Sequence, residues 1–294
     1  MRRMPRRPET VAGAAQFACV LEVSAEKPGN ITPSHDFEDT SFEDMLRSGI
    51  ALGAELGRAG ERGVGETVLA AVRASREVAG ANTNLGIALL LAPLARAALT
   101  GGPLRARLSD VLAALTIDDA RVAYAAIRLA DAGGLDEPVE HDMRDDPRVT
   151  LREAMAAAAQ RDTIAAEYVS DYAATFEVGL PTLAGALNDG LRPRDAVVEL
   201  ALRLLDAVPD TLIARKRGAD VAGDVSEGAR EVLAAGGVRA PAGRTALATF
   251  DASLRLGGHS LNPGTTADLV TAVLFVALVE GVLRGRPSRS CWSR

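Results

Sequence analysis

The stretch TADLVTAVLFVALVEGVL, residues 266–283, decides the fold. Its apolar run, 269–279, is interrupted by Thr271 and flanked by Asp268 and Glu280. Crossing a bilayer takes roughly 20 consecutive apolar residues, so the run is too short to span one. An apolar helix of this kind is a helix buried among others. Asn262-Pro263-Gly264 makes the turn before it, Thr265 or Thr266 caps it, and Asp268 sits in its first turn, where the helix dipole favours an acid.

Working outward, apolar residues recur at helical spacing over about 8–23, 41–56, 67–79, 87–99, 104–114 and 117–132. They do so again over 151–177, 181–188, 193–208, 210–217, 219–235 and 243–256. Pro/Gly pairs and glycine clusters separate these segments. No sustained period-two alternation marks a strand, and the alanine-rich composition favours helix. The expectation is an all-α protein, a single multi-helix domain over 1–284 with a buried C-terminal helix and a frayed tail over 285–294. The acidic stretch 133–147 reads as an exposed loop, and no fixed-period repeat suggests a solenoid.

The 294 residues carry 33 Lys+Arg against 39 Asp+Glu, a net charge of −6. That balance argues against a nucleic-acid binder working through a general basic field, and leaves room for a local phosphate pocket. The start, MRRMPRRPETVAGAAQFACVLEV, is punctuated by Glu9, Gln16 and Glu22 and predicts a helix from Pro8 rather than a secretory signal. Cys19 and Cys291 have no metal-ligand spacing, so a reducing cytoplasm is the expected location, with no membrane partner.

Chemistry concentrates in four places. The first is EVSAEKPGNITPSHDFEDTSFEDMLRS, residues 22–48, where a Pro/Gly/Asn loop holds Lys27, one of only two lysines. Gly29 and its neighbours can shape an amide-lined concavity for an anion, and Lys27 adds a point charge. His35, Asp36, Glu38 and Asp39 offer hard-cation ligands and bases. An ordinary surface turn with solvated acids reads equally well from these residues. The second is Asn82-Thr83-Asn84 before Gly86, a helix entrance that caps and could also take an anion. The third is Asp206, Asp210, Arg215, Lys216 and Arg217, where the acids share a face only if a helix continues through Pro209. The fourth is the entrance to the opening stretch itself, with Asp268.

In this order, the segments resemble the triphosphoribosyl-dephospho-CoA synthase family. The matching residues are Glu22, Lys27-Pro28-Gly29, His35-Asp36, Asn82-Thr83 with Gly86, and Pro263-Gly264 with Ala267-Asp268-Leu269. The resemblance implies an all-α transferase that uses ATP and Mg²⁺. The 2′-hydroxyl of 3′-dephospho-CoA, or a related nucleotide acceptor, displaces adenine from C1′ of ATP. It places Lys27, Gly29, Asn82, Thr83, Arg215 and Arg217 on the ligands, and Asp36, Asp39 and Asp268 on the metal. Glu22, His35 and Asp36 are the implied catalytic group, with Glu22 or His35 as base. It leaves open a homodimer.

The chain departs from the family pattern inside these motifs. Asn84-Leu85 stands where the family has His-Lys, Glu26 where it has proline, and Asn30 where an apolar residue is usual. Asp36 follows His35 directly, without the usual spacing. These changes alter how a triphosphate or a CoA tail is held and point to a divergent acceptor. Two other readings fit the same residues: an all-α, metal-dependent hydrolase of N-glycosidic bonds, and a non-catalytic helical nucleotide-binding protein.

Overall fold

The structure, a computed structural model, describes residues 4–79, 84–130 and 146–283. Its first half holds α1 (Pro8–Val23), α2 (Phe42–Leu56), α3 (Val64–Ala79), α4 (Leu85–Thr100), α5 (Leu104–Ala113) and α6 (Ile117–Ala130). Its second half holds α7 (Leu151–Ala158), α8 (Thr163–Val169), α9 (Leu180–Asn188), α10 (Pro193–Ala207), α11 (Thr211–Arg217), α12 (Ala219–Ala234), α13 (Pro241–Arg255) and α14 (Gly264–Glu280). A π-turn, Ala174–Gly179, and a short extended piece, Leu256–His259, complete it. The protein is all-α, as expected. The loop foreseen over 133–147 lies almost wholly outside the described residues, as does the tail over 285–294.

The two most apolar helices form the centre. α14 packs against α1, α4, α8, α9, α10 and α11, which is why every residue from Leu269 to Ala277 is buried. One core runs from Val11 on α1 to Val279 on α14. No single described helix is long and apolar enough to cross a membrane.

Central helix α4 carries Pro93 in its interior. Proline has no N–H, so the carbonyl of Leu89, four residues back, loses its helical donor. The hydroxyl of fully buried Tyr168 replaces it, donating to Leu89 O at 2.7 Å. Tyr172 donates to the neighbouring Leu90 O at 2.9 Å. To aim that ring inward, Asp171 and Tyr172 adopt left-handed backbone angles, φ 50° and 61°. Such a conformation costs about 1–3 kcal/mol for a residue with a side chain, and the surrounding packing must enforce it.

The structure corrects four expectations. The long pattern over 151–177 is not one helix: Asp162 caps α8 by accepting from Ala165 N at 3.0 Å, and the left-handed pair at 171–172 ends it. Gly57, Gly60, Gly63 and Gly65 together predict a turn, but Gly65 lies inside α3, where a Cβ would meet Asp119 O at 2.4 Å. α10 stops at Ala207, so Asp206 and Asp210 do not share a face. Instead Asp206 pairs with Arg230 at 2.9 Å and Asp210 caps α11. Finally, Leu256 opens the extended piece rather than closing a helix.

Candidate functional site

α1 ends at Val23 with Glu22 pointing inward, and the loop after it folds Lys27 back under the helix end. Lys27 Nζ lies 2.9 Å from Glu22 Oε1 and donates to Glu22 O at 2.6 Å, with the lysine side chain fully buried. A buried ion pair is stable only when both partners are present. Lys27 therefore faces Glu22 and the helix-end carbonyls rather than open space.

The next residues tie this loop to the far end of the chain. Gly29, at φ +71°, donates its N–H to Asp251 Oδ1 at 2.8 Å. A Cβ at Gly29 would sit 3.0 Å from Leu254 and Pro263, so only glycine fits this left-handed, crowded position. Asn30 donates to Asn262 Oδ1 at 2.6 Å and to Pro263 O at 3.3 Å, and its carbonyl accepts from Arg255 at 2.9 Å. Two departures from the family pattern thus have local reasons. Asn30 bridges to the α14 entrance, and buried Asn84 donates to Ser48 Oγ at 2.6 Å, joining α4 to α2.

Asp268 is where the segments converge. Its carboxylate lies directly on the backbone of Gly86 at the start of α4: a Cβ at Gly86 would stand 2.0 Å from Asp268 Oδ2. The residue keeps partial exposure although its carboxyl is surrounded by protein, and the space it borders is the candidate cleft. Burial pushes its pKa well above the usual carboxylate range, and the nearby charges of Glu22, Asp210 and Asp162 push the same way against Arg215. The Cys19 thiol, buried beside Glu22 and Asp268, is raised likewise, mainly by burial.

Asp210 fixes α11 against α14. Its Oδ1 accepts from Leu212 N at 2.9 Å and Ile213 N at 3.1 Å, capping α11. Its Oδ2 accepts from Thr266 N at 2.7 Å and Thr266 Oγ1 at 2.8 Å, capping α14. Burial raises the Asp210 pKa against these hydrogen bonds. The other end of α11 carries the cations. Arg215 pairs with Asp162 at 3.2 Å, and Arg217 Nη1 lies 3.5 Å from Ser260 Oγ. Lys216 Nζ lies 3.5 Å from His259 O, with its pKa lowered chiefly by burial and by Arg215. His259 in turn stacks on Phe37 at 5.2 Å, closing the N-terminal loop over this basic edge.

Of the sequence-predicted residues, Glu22 and Arg215 lie close enough for their charges to act on Asp268, Lys27 is buried against Glu22, Gly29 packs on Pro263 at the α14 entrance, and Arg217 stands beside Ser260. His35 and Asp36 are exposed on the loop. His35 pairs its backbone with Thr32, and Asp36 Oδ1 accepts from Phe42 N at 2.7 Å, where α2 begins. Asp39 is exposed and accepts from Thr40 Oγ1 at 3.2 Å, while its charge reaches Lys216. Asn82 and Thr83 lie outside the described residues. Among the described residues no group of three or more His, Cys, Asp or Glu side chains is placed to hold a metal, so Asp36, Asp39 and Asp268 do not form a metal cage. Sequence reasoning missed Asp162, which the RDTIAAEY segment signals as a helix cap, and the Phe37–His259 stack, which has no sequence signature.

A separate cavity of about 480 Å³ opens at the other end of α4, near Arg96 and Thr100. Its charged groups are engaged within the protein: Arg96 donates to Ala59 O and Arg62 O, and Asp119 accepts from Gly65 N. It has no part in the cleft.

Comparison with known proteins bears on the cleft. Residues 8–286 match the family described as ATP:dephospho-CoA triphosphoribosyl transferase. A 2-(5″-triphosphoribosyl)-3′-dephosphocoenzyme-A synthase from Klebsiella pneumoniae is 34% identical over 104 residues, 35% of this chain and 36% of that protein. A Pseudomonas fluorescens Pf-5 protein named for the same synthase is 28% identical over 247 residues, 82% of this chain and 75% of that one. The chain spans little more than a third, 36%, of the Klebsiella relative it matches. A crystal structure assigned to a triphosphoribosyl-dephospho-CoA synthase from Archaeoglobus fulgidus superposes with a TM-score of 0.63 at 29% identity, covering 80% of this chain and 99% of that one.

Proposed function

Because the chain belongs to the ATP:dephospho-CoA triphosphoribosyl transferase family, we propose that it moves the triphosphoribosyl group of ATP to the 2′-hydroxyl of 3′-dephospho-CoA or a related nucleotide. The C1′–N9 bond of ATP breaks and a C1′–O2′ bond forms. The acceptor hydroxyl gives up a proton and the departing adenine takes one, so protons balance.

The observation that carries this reading is the convergence of the ends of α1, α4, α11 and α14 on Asp268. Positive charge develops at C1′ as the glycosidic bond breaks, and carboxylates beside it lower the barrier. Glu22, ion-paired with Lys27, is assigned that task, and Asp268, whose burial favours the protonated carboxyl, is assigned the proton that the departing adenine takes. Glu22 is held by Lys27 at 2.9 Å and serves as the base for the acceptor hydroxyl. Lys27 acts through Glu22 and is a positioning residue. The triphosphate lies along Arg215 and Lys216, and Arg217 is left for the phosphates of the acceptor; all three side chains reach solvent. A magnesium ion carried in with the triphosphate would neutralise phosphate charge, since this cation keeps phosphate and water ligands and needs one or two carboxylates at most. Asp39, whose charge reaches Lys216, would be available to it, and the positioning contacts named here belong to the chain.

Free adenine is the readout. Incubation with ATP and Mg²⁺ is expected to release adenine only when dephospho-CoA is present, and Asp268→Asn and Arg217→Ala are expected to suppress release in folded protein. Release without acceptor would make the protein a hydrolase, and wild-type rates in both variants would remove the cleft from the chemistry.

A further inference from the structure

Between them, α12 and α13 leave an open groove of about 730 Å³. Gly228 makes it possible: a Cβ there would stand 2.6 Å from Phe250, so the ring packs closely on the α12 backbone and lines the groove. Val225, Val232 and Leu254 complete an apolar bed. Along one side, α13 presents Thr245, Thr249 and Ser253, one hydroxyl per turn. Each donates its proton to its own helix, Thr245 to Pro241 O, Thr249 to Thr245 O and Ser253 to Phe250 O. Their oxygens remain free to accept from amide N–H groups.

The ends of the groove differ in charge. At its inner end Leu254 packs under Gly29, and Leu261 follows Ser260, whose Oγ lies 3.5 Å from Arg217 Nη1. That end therefore abuts the basic edge where phosphates are placed. Along the rim stand Asp224 and Glu231, which repel phosphate. From Ala242 to Leu254 the groove is about 18 Å long at 1.5 Å rise per residue. A long, neutral, amide-bearing chain that leaves a diphosphate matches this lining.

We propose that the α12–α13 groove holds the pantetheine arm of the acceptor, an inference that rests on the transferase reading above. The diphosphate of the acceptor lies at Arg217, beside Ser260, leaving Arg215 and Lys216 to the triphosphate of ATP, and the two amides of the arm donate to the α13 hydroxyls. The reacting adenosine end then points back toward Asp268.

The test is direct binding of dephospho-CoA and of ADP, which lacks the arm, to the wild type, Thr249→Trp and Ser253→Trp. Both positions are exposed, so the indole fills the groove without entering the core. Wild type is expected to prefer dephospho-CoA over ADP by about tenfold or more. Each tryptophan is expected to erase that preference while leaving ADP affinity unchanged. Equal affinities in the wild type, an undiminished preference in both variants, or loss of both ligands alike would overturn the proposal. Adenine release, measured in parallel, judges the transferase reading separately: a wild type that binds dephospho-CoA through its arm yet releases no adenine keeps the groove and loses the reaction.

Discussion

Replacing Tyr168 with Phe removes a single hydroxyl and tests how α4 tolerates its proline. Tyr168 donates to Leu89 O at 2.7 Å, the carbonyl left without a helical donor by Pro93. With the hydroxyl gone, that carbonyl is buried and unsatisfied, because Tyr168 and the middle of α4, Ile87 to Ala95, are buried. Leaving a buried acceptor unpaired costs about 1–3 kcal/mol. Pro93→Ala restores an N–H four residues after Leu89, so Tyr168→Phe in that background should cost less than about 1 kcal/mol. The two changes are therefore coupled, by about 1 kcal/mol or more, in a double-mutant cycle. Urea denaturation of the four proteins, read by far-UV circular dichroism, gives each stability with its slope. An equal loss from Tyr168→Phe in both backgrounds would refute the account of Tyr168 as the replacement donor.

Three further outcomes are expected. Gly86→Ala drives a methyl into Asp268 Oδ2, 2.0 Å from the added carbon, and should reduce adenine release by about 100-fold, the scale on which misplaced catalytic groups fail. Normal turnover in that variant would detach Asp268 from the reaction. Lys27→Met leaves Glu22 buried without its partner and should cost about 3–5 kcal/mol by chemical denaturation, with Glu22→Gln added to it recovering part of the loss. Asp210 gives a pH signature: burial raises its folded pKa above the unfolded value. Its contribution is then fully present below the unfolded value near about 4 and is lost as pH rises through the raised value. The wild type should lose stability across that window relative to Asp210→Asn, and parallel pH profiles of the two denaturation midpoints would refute the shift.

Much of the fold was legible because proline and glycine punctuate it. α1 spans Pro8–Val23 as its pattern foretold, and α14 is enclosed because nothing between Asp268 and Glu280 is charged. The helix over 151–177 broke where the causes were local side-chain chemistry, the Asp162 cap and the left-handed Tyr172, which apolar spacing does not register. The site was legible as four segments in a row but not as a shape. Lys27 stood out as a rare lysine, yet its burial against Glu22 depends on how the loop folds back. The contact of Gly86 with Asp268 joins residues far apart in the chain, and no local signal marks it. Asp36 accepts from Phe42 N at the start of α2, a role that the metal reading passed over.

The ties at Asn30 have a consequence for how the protein is made. Asn30 meets Asn262 across 232 positions of sequence, and Arg255 reaches Asn30 across 225. During translation, α1 and α2 emerge long before the helices that hold their connecting loop. Until α13 and α14 leave the ribosome, the loop after Glu22 lacks the anchors that shape it. The loop after α1 therefore takes its final shape only once α13 and α14 are in place. A ligand that bound only this completed arrangement would stabilise the whole fold by mass action. It would shield from unfolding those copies whose two ends have met.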